Sequence, residues 1–519
     1  MALKAEAATA ATNPKSKIHN PKSVLSAVIL ALTTLLGVWL GRNQKDAKDY
    51  FVAGHTIPWW AVLFSVVATE TSALTFISIP GLAYTTNLGF LQIAAGYLLG
   101  RIVVAYTLLP RYYQGDLVTA YALLEKRFGI GTRRFASIVF MTTRALADSV
   151  RVFATAIPIA LIIGPALPQR FVMPASILVL GALTLIYTYH GGMRAVVWTD
   201  VLQTSVYLLG GFTAVYLIGK GVDGGWGAIL SQASSAGKLR VIEVYTGFDK
   251  PQTLFAGLIG GAFLSMASHG ADQLIVQRLM AASSLKESRK ALIGSGIAVF
   301  FQFTLFLMIG IGLFAYYNGR HFDVPDSIFP TFVVDSMPAG LRGLIVAAVL
   351  AATMSAHSGA LNSLAASTTH DIYLPLSGRT ADDPRTLRTG KLFTMFWGVI
   401  LLVMALLYRQ QGTPVVVVAL SIASFTYGAL LGGFFLGMLW RRANQRDAIT
   451  GMAVGIVAMS FVVFAKQMMP LFPSATETLT SLSHIAWPWY VLIGTTFTVG
   501  VGVLSSFTHA APTGEDRWK

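Results

Sequence analysis

Residues 66–76 read VVATETSALTF and lie at the centre of a long apolar segment, residues 58–85. They place Glu70 between two threonines, with a serine just beyond. A charged side chain at the bilayer centre costs at least about 2.5 kcal/mol on insertion scales, so an unpaired Glu70 facing lipid is not expected. The stretch therefore predicts an interrupted membrane helix, because unwound backbone is tolerated only where it lines a cavity or is buried in protein. A protonated Glu70, hydrogen-bonded to a neighbouring helix, is the alternative.

The composition is that of a polytopic membrane protein. The chain has 519 residues, of which 54% are hydrophobic and only 12% charged, with a mean hydropathy of +0.63. A soluble protein would carry about twice that charged fraction. The absence of cysteine excludes disulfides and thiol chemistry. The net charge of +15 is attributed to cationic cytoplasmic loops rather than to nucleic-acid binding.

Apolar segments long enough to cross a bilayer recur along the whole chain. They predict an all-α polytopic protein with about thirteen transmembrane helices, here called spans one to thirteen: residues 22–42, 58–85, 88–112, 134–164, 171–189, 195–219, 253–281, 291–318, 340–370, 390–409, 414–440, 448–468 and 485–507. Span one is expected to stay as an anchor, because a polar tail, residues 1–21, precedes it and no small-residue cleavage site follows.

The distribution of lysine and arginine predicts the orientation. A cytoplasmic C-terminus places most of the loop lysines and arginines on the cytoplasmic side, as the positive-inside rule requires. The basic tail, residues 1–21, argues mildly the other way. We therefore expect a multi-pass protein of a plasma membrane of the bacterial inner type, with the N-terminus outside and the C-terminal tail, residues 508–519, in the cytoplasm.

Span seven contains a second group of polar residues at mid-depth, Ser265, Ser268, His269, Gly270, Asp272 and Gln273. Four spans separate it from the stretch around Glu70. Transporter folds often place an interrupted helix at the same position in each of two repeats, and the freed backbone groups form the binding site. The sequence thus predicts two five-helix repeats, residues 58–219 and 253–440, followed by peripheral spans within residues 448–507.

Four stretches carry a resemblance to a known family. They are GGMRAVVWTDVLQ (191–203), ADQLIVQRLMAA (271–282), ATMSAHSGALNSLAASTTHDIY (352–373) and GMLWRRANQRDAITGMAVG (437–455). In this order they resemble the sodium/solute symporters, which have the leucine-transporter fold. The resemblance implies a 5+5 inverted-repeat core and sodium-coupled import of a small organic solute by alternating access. It implies no enzymatic activity, and the sequence has no HExxH, GxSxG or cysteine nucleophile.

The resemblance also implies a sodium site between the break in span two and span nine. The backbone carbonyls of Ala68, Thr71 and Ala352 and the hydroxyl of Ser355 would replace water around the ion. The family usually has a second Ser or Thr after that serine, where this chain has Ala356. Several alternatives stay open: Thr353, Ser358 or a carboxylate replaces the lost oxygen, the site is weaker, or the transporter is coupled to protons. Alternatively, the hydroxyls of Ser355 and Ser358 donate hydrogen bonds to backbone carbonyls one turn earlier in their own helix.

Two acidic residues are further candidates for this cation chemistry. The proline-transporting branch has an acidic residue at the position of Glu70, which would offset the missing hydroxyl, bind a substrate amine or carry a proton. Some members use the aspartate matching Asp200 with span-nine serines for a second sodium ion. Here Ser358 matches one of these serines and Gly359 replaces its neighbour. Asp200 is equally consistent with a carboxylate near a helix N-terminus.

Span four carries the charged stretch TRALADSVRVF, residues 143–153. Arg144, Asp148 and Arg151 share one helix face there and can neutralise one another. Alternatively, Arg151 binds a substrate carboxylate, because a guanidinium binds it in a bidentate manner and stays charged when desolvated.

The sialic-acid branch pairs a serine and a threonine after the sodium-binding turn, as Ser72 and Thr75 do here, and has an arginine on span four. Sugar-transporting members have an acid and an amide where this chain has Leu74 and Thr75, which makes a hexose less expected. Further candidates for the pocket are Phe90, Gln92, His269, Asp272 and Gln273.

The expected substrate is a carboxylate-bearing solute, such as sialic acid, an organic acid or an amino acid. The partners are this solute, sodium and the lipid bilayer; nucleic acid and an obligatory protein partner are not expected. A proton-coupled symporter or a sugar transporter on the same fold is the alternative. A membrane sensor is less favoured, because the longest polar connections, residues 220–252 and 371–390, are too short for a folded signalling domain.

Overall fold

The structure is a computed structural model that describes residues 31, 34–40, 44, 46–71, 73–115, 117–163, 167–408 and 415–510. These residues are mostly helical, and among them we find no β-strand, only an isolated bridge between Ile57 and Ala282. Most of span one and the whole polar tail, residues 1–21, lie outside the described residues, as do residues 511–519. Every predicted span from two to thirteen coincides with helix, which confirms an all-helical fold.

Within this part of the chain, the α-helices are Ala47–Val52, Trp59–Glu70, Ala73–Thr85, Phe90–Tyr106, Leu109–Tyr112, Tyr121–Phe128, Ile130–Ile163, Gln169–Gly221, Gly225–Ser235, Gly261–Gly270, Gln273–Met280, Leu285–Tyr316, Ile328–Ser336, Ala339–Ser367, Leu374–Ser377, Pro384–Leu407, Val415–Leu439, Gln445–Val463, Ala465–Met468, Thr476–Ser483 and Tyr490–Ser506. Six of the helices in the described ranges are long and apolar enough to cross a membrane. Short π-helical segments, Ala256–Gly260 and Thr368–Tyr373, extend spans seven and nine.

Span two is interrupted where the sequence predicts. Its first helix, Trp59–Glu70, begins after Pro58 and ends at Thr71, whose backbone is extended with φ −84° and ψ 109°. The second helix, Ala73–Thr85, resumes beyond Ser72, which lies outside the described residues. A helix that ends leaves the carbonyls of its last turn without the intrahelical amide partners that a continuing helix supplies.

Span seven is interrupted in the same manner. The helix Gly261–Gly270 ends at Ala271, and a new helix, Gln273–Met280, begins after Asp272. The Asp272 carboxylate caps the new helix by accepting a hydrogen bond from the backbone N–H of Leu274 at 2.8 Å. A carboxylate here satisfies an otherwise unpaired amide and is favoured by the helix dipole. The second predicted interruption is thus confirmed.

Spans five and six meet at Gly192, where the helical segment Gln169–Gly221 changes direction. Gly192 has φ 53° and ψ −151°, a backbone conformation that glycine adopts and residues with a side chain avoid. A Cβ atom at this position would lie 2.4 Å from the carbonyl oxygen of Tyr50. The glycine lets the chain turn back against the short helix Ala47–Val52 that precedes span two.

Two large apolar clusters form the interior. One includes Tyr50, Tyr121 and Phe434, and the other includes Phe76 and Phe306. Large apolar side chains are also exposed on the outer faces of the helices, among them Leu178, Phe212, Phe301, Val399 and Val457. Such an exterior is expected for a protein whose surrounding solvent is lipid, and it leaves the polar side chains of the spans facing inward.

Gly192→Ala should destabilise the protein by about 1–3 kcal/mol, because the backbone would be strained even without the contact with Tyr50. Gly227→Ala is the matched control, since Gly227 lies in a helix, is exposed and has open space around it. Thermal unfolding in detergent measures both changes. Equal melting temperatures for the two variants would contradict this account of the turn.

Candidate functional site

The ends of the two interrupted helices meet inside the protein. Oε2 of Glu70, the last residue of the first helix of span two, lies 3.8 Å from Nε2 of His269 on span seven. The Arg101 guanidinium of span three forms an ion pair with the Glu70 carboxylate, and it donates through Nη1 to the hydroxyl of Ser295 on span eight at 2.8 Å. The Arg101 side chain is completely buried, whereas that of Glu70 is 21% exposed. The Glu70 charge is therefore paired.

Arg101 had no assigned role in the sequence analysis. The signal was present, because Arg101 lies in the middle of an apolar span and a charge there needs a partner. The sequence did not identify that partner. His269 also lies beside Ser268, with 2.8 Å between its Nδ1 and the serine hydroxyl. The predicted pocket residue His269 thus belongs to the Glu70 cluster.

The extended residue Thr71 is held by span eight. Its hydroxyl and the Gln302 side-chain amide exchange hydrogen bonds, with 3.0 Å from the threonine Oγ1 to Oε1 and 2.7 Å from Nε2 to Oγ1. Gln302 is a second residue that sequence reasoning missed. Because both side chains are buried, this pairing fixes the backbone at the break in span two.

The four residues of the expected sodium site lie on two helices that contact one another. Ala68 and Thr71 belong to the break in span two, Ala352 and Ser355 lie on the span-nine helix Ala339–Ser367, and all four are buried. Ser355 does not bond back within its own helix; its hydroxyl donates to Oδ1 of Asp200 at 2.6 Å. Ser358 does bond back, to the carbonyl of Ser355 at 3.0 Å.

Asp200 lies at a junction of four spans. Ser65 of span two donates to its Oδ2 at 2.5 Å, and Ser355 of span nine donates to Oδ1. Arg278, on the second helix of span seven, approaches Oδ2 with Nη2 at 3.4 Å and donates through Nε to Ser65 at 3.0 Å. Asp200 and Arg278 are completely buried. Asp200 lies two helical turns beyond Gly192, so its environment is an interhelical ion pair rather than the first turn of a helix.

A third cluster surrounds Asp272 at the break in span seven. Arg144 of span four forms an ion pair with Asp272, and the Tyr427 hydroxyl of span eleven donates to Asp272 at 2.7 Å. Arg144 also lies 3.5 Å from Asp148, which in turn accepts from Arg151 at 3.2 Å. The charge pairing along span four is thus present, but the main partner of Arg144 is on span seven.

A small cleft opens beside this third cluster. Its lining residues come from spans four, seven and eleven: Phe140, Thr143, Arg144, Ala147, Asp272, Thr426, Tyr427 and Leu430. Arg151 lies one turn beyond Ala147 on span four, and its side chain is 25% exposed. Arg151 itself is not one of the residues that line the cleft.

Gln273 and Gln92 make hydrogen bonds to loop backbone. Gln273 accepts from the N–H of Ala120 at 2.7 Å and donates to the carbonyl of Val118 at 3.1 Å, in the connection that precedes span four. Gln92 donates to the carbonyl of Gln252 at 3.2 Å, in the connection that precedes span seven. Both side chains tie loops to the helical core.

Phe90 stacks on Phe303, with ring centroids 4.8 Å apart, and so packs within the core. Thr75 is half-buried on the second helix of span two. Its expected companion Ser72 lies outside the described residues. The roles of these residues in substrate binding stay predictions.

Within the described ranges, no group of three or more His, Asp or Glu side chains is arranged to hold a metal ion. The oxygen atoms at the break in span two are carbonyls and hydroxyls, which suit a hard monovalent cation better than a transition metal.

Comparisons with known proteins agree with this arrangement. The profile of the sodium:solute symporter family matches residues 50–455. The sodium/sialic acid symporter NanT of Aliivibrio fischeri is 32% identical over 480 residues, covering 91% of this chain and 90% of that protein. The sodium/sialic acid symporter SiaT of Proteus mirabilis is 32% identical over 440 residues, covering 83% and 87%. The human sodium/iodide cotransporter is 28% identical over 474 residues, covering 89% and 72%.

A solved structure is similar over almost the whole chain. It is the substrate-bound, outward-open state of a Na⁺-coupled sialic acid symporter, with a TM-score of 0.81 and 28% identity. The alignment covers 95% of this chain and 98% of that one. The inverted-repeat fold expected from the interrupted helices is the fold of this neighbour.

Glu70→Gln should destabilise the protein by about 3 kcal/mol, because it leaves the buried Arg101 charge without its partner. The double change Glu70→Gln with Arg101→Leu should recover most of that loss. Glu243→Gln is the matched control: its ion pair with Lys250 is exposed and should contribute less than about 1 kcal/mol. Chemical unfolding in detergent compares the variants, and an equal loss for Glu70 and Glu243 would argue against a stabilising pair.

Proposed function

The chain belongs to the sodium:solute symporter family, and we propose that it imports a carboxylate-bearing organic solute together with sodium by alternating access. It is an integral, multi-pass membrane protein and a sodium-coupled transporter rather than an enzyme. The observation that carries the proposal is the meeting of two interrupted helices inside the protein, at Glu70 and His269. Such breaks supply the ion and solute sites of transporters with this architecture.

We assign the sodium ion to the carbonyls of Ala68, Thr71 and Ala352 and the hydroxyl of Ser355. The end of the helix at Thr71 leaves backbone carbonyls without amide partners, and these groups can take the place of water around a cation. The Ser355 hydroxyl donates its hydrogen bond to Asp200, so the oxygen lone pairs of Ser355 are available to the ion. These donors fit a hard cation even without a hydroxyl at Ala356.

The predicted sodium-binding role of Glu70 stays a prediction. Arg101 already balances the charge of this carboxylate, which reduces the attraction it can offer to a second cation. The pair is better suited to hold the break in span two against spans three and eight. Proton coupling through Glu70 is the alternative for a chain that has Ala356 at the usual hydroxyl position.

We assign a carboxylate-bearing substrate, and both the relatives and Arg151 support this assignment. Two of the relatives are sialic acid symporters, and sialic acid carries a carboxylate. Arg151 lies beside the cleft of span four and presents a partly exposed guanidinium. Sialic acid, another organic acid and an amino acid all carry the expected carboxylate. A sugar is the alternative substrate. In this assignment the N-terminus is outside and the C-terminus in the cytoplasm of a bacterial inner-type membrane.

Purified protein in liposomes should accumulate labelled sialic acid when an inward sodium gradient is imposed at fixed pH, because sodium is the coupling ion of the family. Other organic acids and amino acids serve as parallel substrates. Uptake driven by a pH gradient in the absence of sodium would overturn sodium coupling. Uptake of glucose in preference to every acid would overturn the carboxylate assignment.

Ser355→Ala should raise the sodium concentration for half-maximal uptake by at least about tenfold, since a loss of about 1.4 kcal/mol in ion binding has that effect. Ser363→Ala is the matched control on the same helix: Ser363 is also buried, and its hydroxyl bonds only to the carbonyl of Ala360 within the helix. Similar small shifts in both variants would mean that Ser355 serves packing rather than ion binding.

Arg151→Lys should weaken solute binding by at least about tenfold while sodium binding stays nearly unchanged, because lysine keeps the charge but loses the bidentate geometry. Substrate titrations and sodium titrations of the same preparation separate the two effects. If Arg151 only neutralises Asp148, the neutral pair Arg151→Gln with Asp148→Asn should transport normally, which would remove Arg151 from the substrate site.

A further inference from the structure

The last turn of span thirteen and the residues after it are fastened to the loop that joins spans eleven and twelve. Trp440 of this loop donates through Nε1 to the hydroxyl of Ser506 at 2.9 Å. Arg442 donates to two backbone carbonyls, that of Ser506 at 2.8 Å and that of His509 at 2.7 Å. The terminal segment, residues 505–510, therefore lies against the loop instead of extending away from the helix.

We propose that His509 is a pH-sensitive latch, which holds the terminal segment on the loop when its imidazole is protonated and releases the segment when the imidazole is neutral. The partner of His509 in the latch is Asp447, at the start of span twelve. The orientation proposed above decides only which compartment the latch senses. With the C-terminus in the cytoplasm, the latch responds to cytoplasmic pH.

Each ring nitrogen of His509 faces a hydrogen-bond acceptor. Nδ1 lies 2.8 Å from the carbonyl oxygen of Ala510, and Nε2 lies 2.9 Å from Oδ2 of Asp447. A neutral imidazole has one N–H donor, whereas an imidazolium has two. Only the protonated ring can therefore donate to both oxygens at the same time. A neutral ring directs one nitrogen lone pair at an oxygen atom, and the two repel one another.

Two neighbouring groups favour the neutral ring. The side-chain Nδ2 of Asn444 lies 3.0 Å from Nε2 of His509, and it can donate to this nitrogen only when the nitrogen carries no proton. The positive charge of Arg442 also disfavours the imidazolium. Against them stands the charge-assisted bond to Asp447, which is about twice as strong as a neutral one. Because the two forms of the ring have different partners, protonation decides which contact is made.

The Asp447 carboxylate provides the attraction that closes the latch. Its side chain is completely buried, whereas that of His509 is 22% exposed and can exchange its proton with water. Asp447 also accepts from the Ser505 hydroxyl at 2.6 Å and from the backbone N–H of Asn444 at 2.9 Å, and such bonds favour the ionised carboxylate. Among the described residues, only His509 forms an ion pair with it. Loss of the proton therefore leaves a buried charge without its cation, which is costly.

The pKa of His509 sets the pH at which the latch opens. The hydrogen bonds to Ala510 and to Asp447 raise this pKa above its ordinary value of 6.5. A raised pKa means that the closed latch binds the proton more tightly than the released segment does. The stabilisation is therefore fully present below pH 6.5 and is lost as the pH rises through the raised pKa.

Release of the latch does not require the protein to unfold. Arg127, on the short helix before span four, holds the same loop independently by donating to the carbonyls of Trp440 and Ala443 at 3.1 Å each. The loop follows directly on the helix Val415–Leu439 of span eleven, which carries Tyr427 of the third cluster. The latch thus adds a pH-dependent hold at the end of this helix, and Arg127 supplies a permanent one.

A nitroxide spin label on a cysteine introduced as Thr508→Cys measures the release directly. Thr508 is exposed and adjacent to His509, and the chain has no native cysteine that the label could modify. In detergent, the electron paramagnetic resonance spectrum should change from that of an ordered label at about pH 5.5 to that of a mobile label at about pH 8.5, the range in which histidine titrates. The change should lie above pH 6.5.

His509→Gln in the same labelled background should abolish this pH dependence, because glutamine can donate to Asp447 but has no proton that a higher pH removes. His484→Gln is the matched control: His484 is exposed after the helix Thr476–Ser483, and its variant should retain the change. A spectrum of the parent chain that does not change with pH would overturn the proposal. So would a change that persists in His509→Gln.

Discussion

A charge buried within a membrane protein must be paired, and three buried ion-pair clusters meet this requirement here. Glu70 with Arg101, Asp200 with Arg278, and Asp272 with Arg144 each join an interrupted span to a neighbouring span. Removing one partner leaves an uncompensated charge, which is far more costly than losing an exposed pair. The positions of the interrupted helices therefore depend on these pairs as much as on apolar packing, which lacks a strong driving force between helices in lipid.

The pairs also explain how a chain can be unwound at two places inside a membrane. At the break in span two, Thr71 is held by Gln302 and the adjacent carboxylate by Arg101. At the break in span seven, Asp272 caps the following helix and is held by Arg144 and Tyr427. The side chains named at each break are thus held by other parts of the protein, as is expected for irregular backbone at membrane depth. The carbonyls left over at Thr71 are the groups proposed to bind sodium.

The three clusters differ in how far they are closed to water. Asp200 and Arg278 are completely buried and the side chains of Asp272 and Arg144 nearly so, at 2% and 5%, whereas the Glu70 side chain is 21% exposed. A structural pair is expected to be sealed, and groups that meet a solute need a path to solvent. This difference fits a fixed role for the Asp200 junction, and it makes Glu70, beside the break in span two, the most accessible charge of the three pairs.

The sequence by itself determined the membrane class, the helical fold and both interruptions, because apolar length and polar residues at mid-depth are properties of single segments. It also located the turn between spans five and six near Gly192. The backbone conformation at this glycine is strained for any residue that has a side chain. It gave Glu70, Asp200 and Asp272 as important carboxylates, but not their partners. Arg101 and Arg278 come from the span that follows their carboxylate, and Arg144 comes from three spans before Asp272. Only tertiary packing decides which arginine faces which carboxylate. The same packing brings Gly359 against the Arg278 guanidinium, where a Cβ atom would lie 2.4 Å from Nη2, although the two residues are 81 positions apart in the chain.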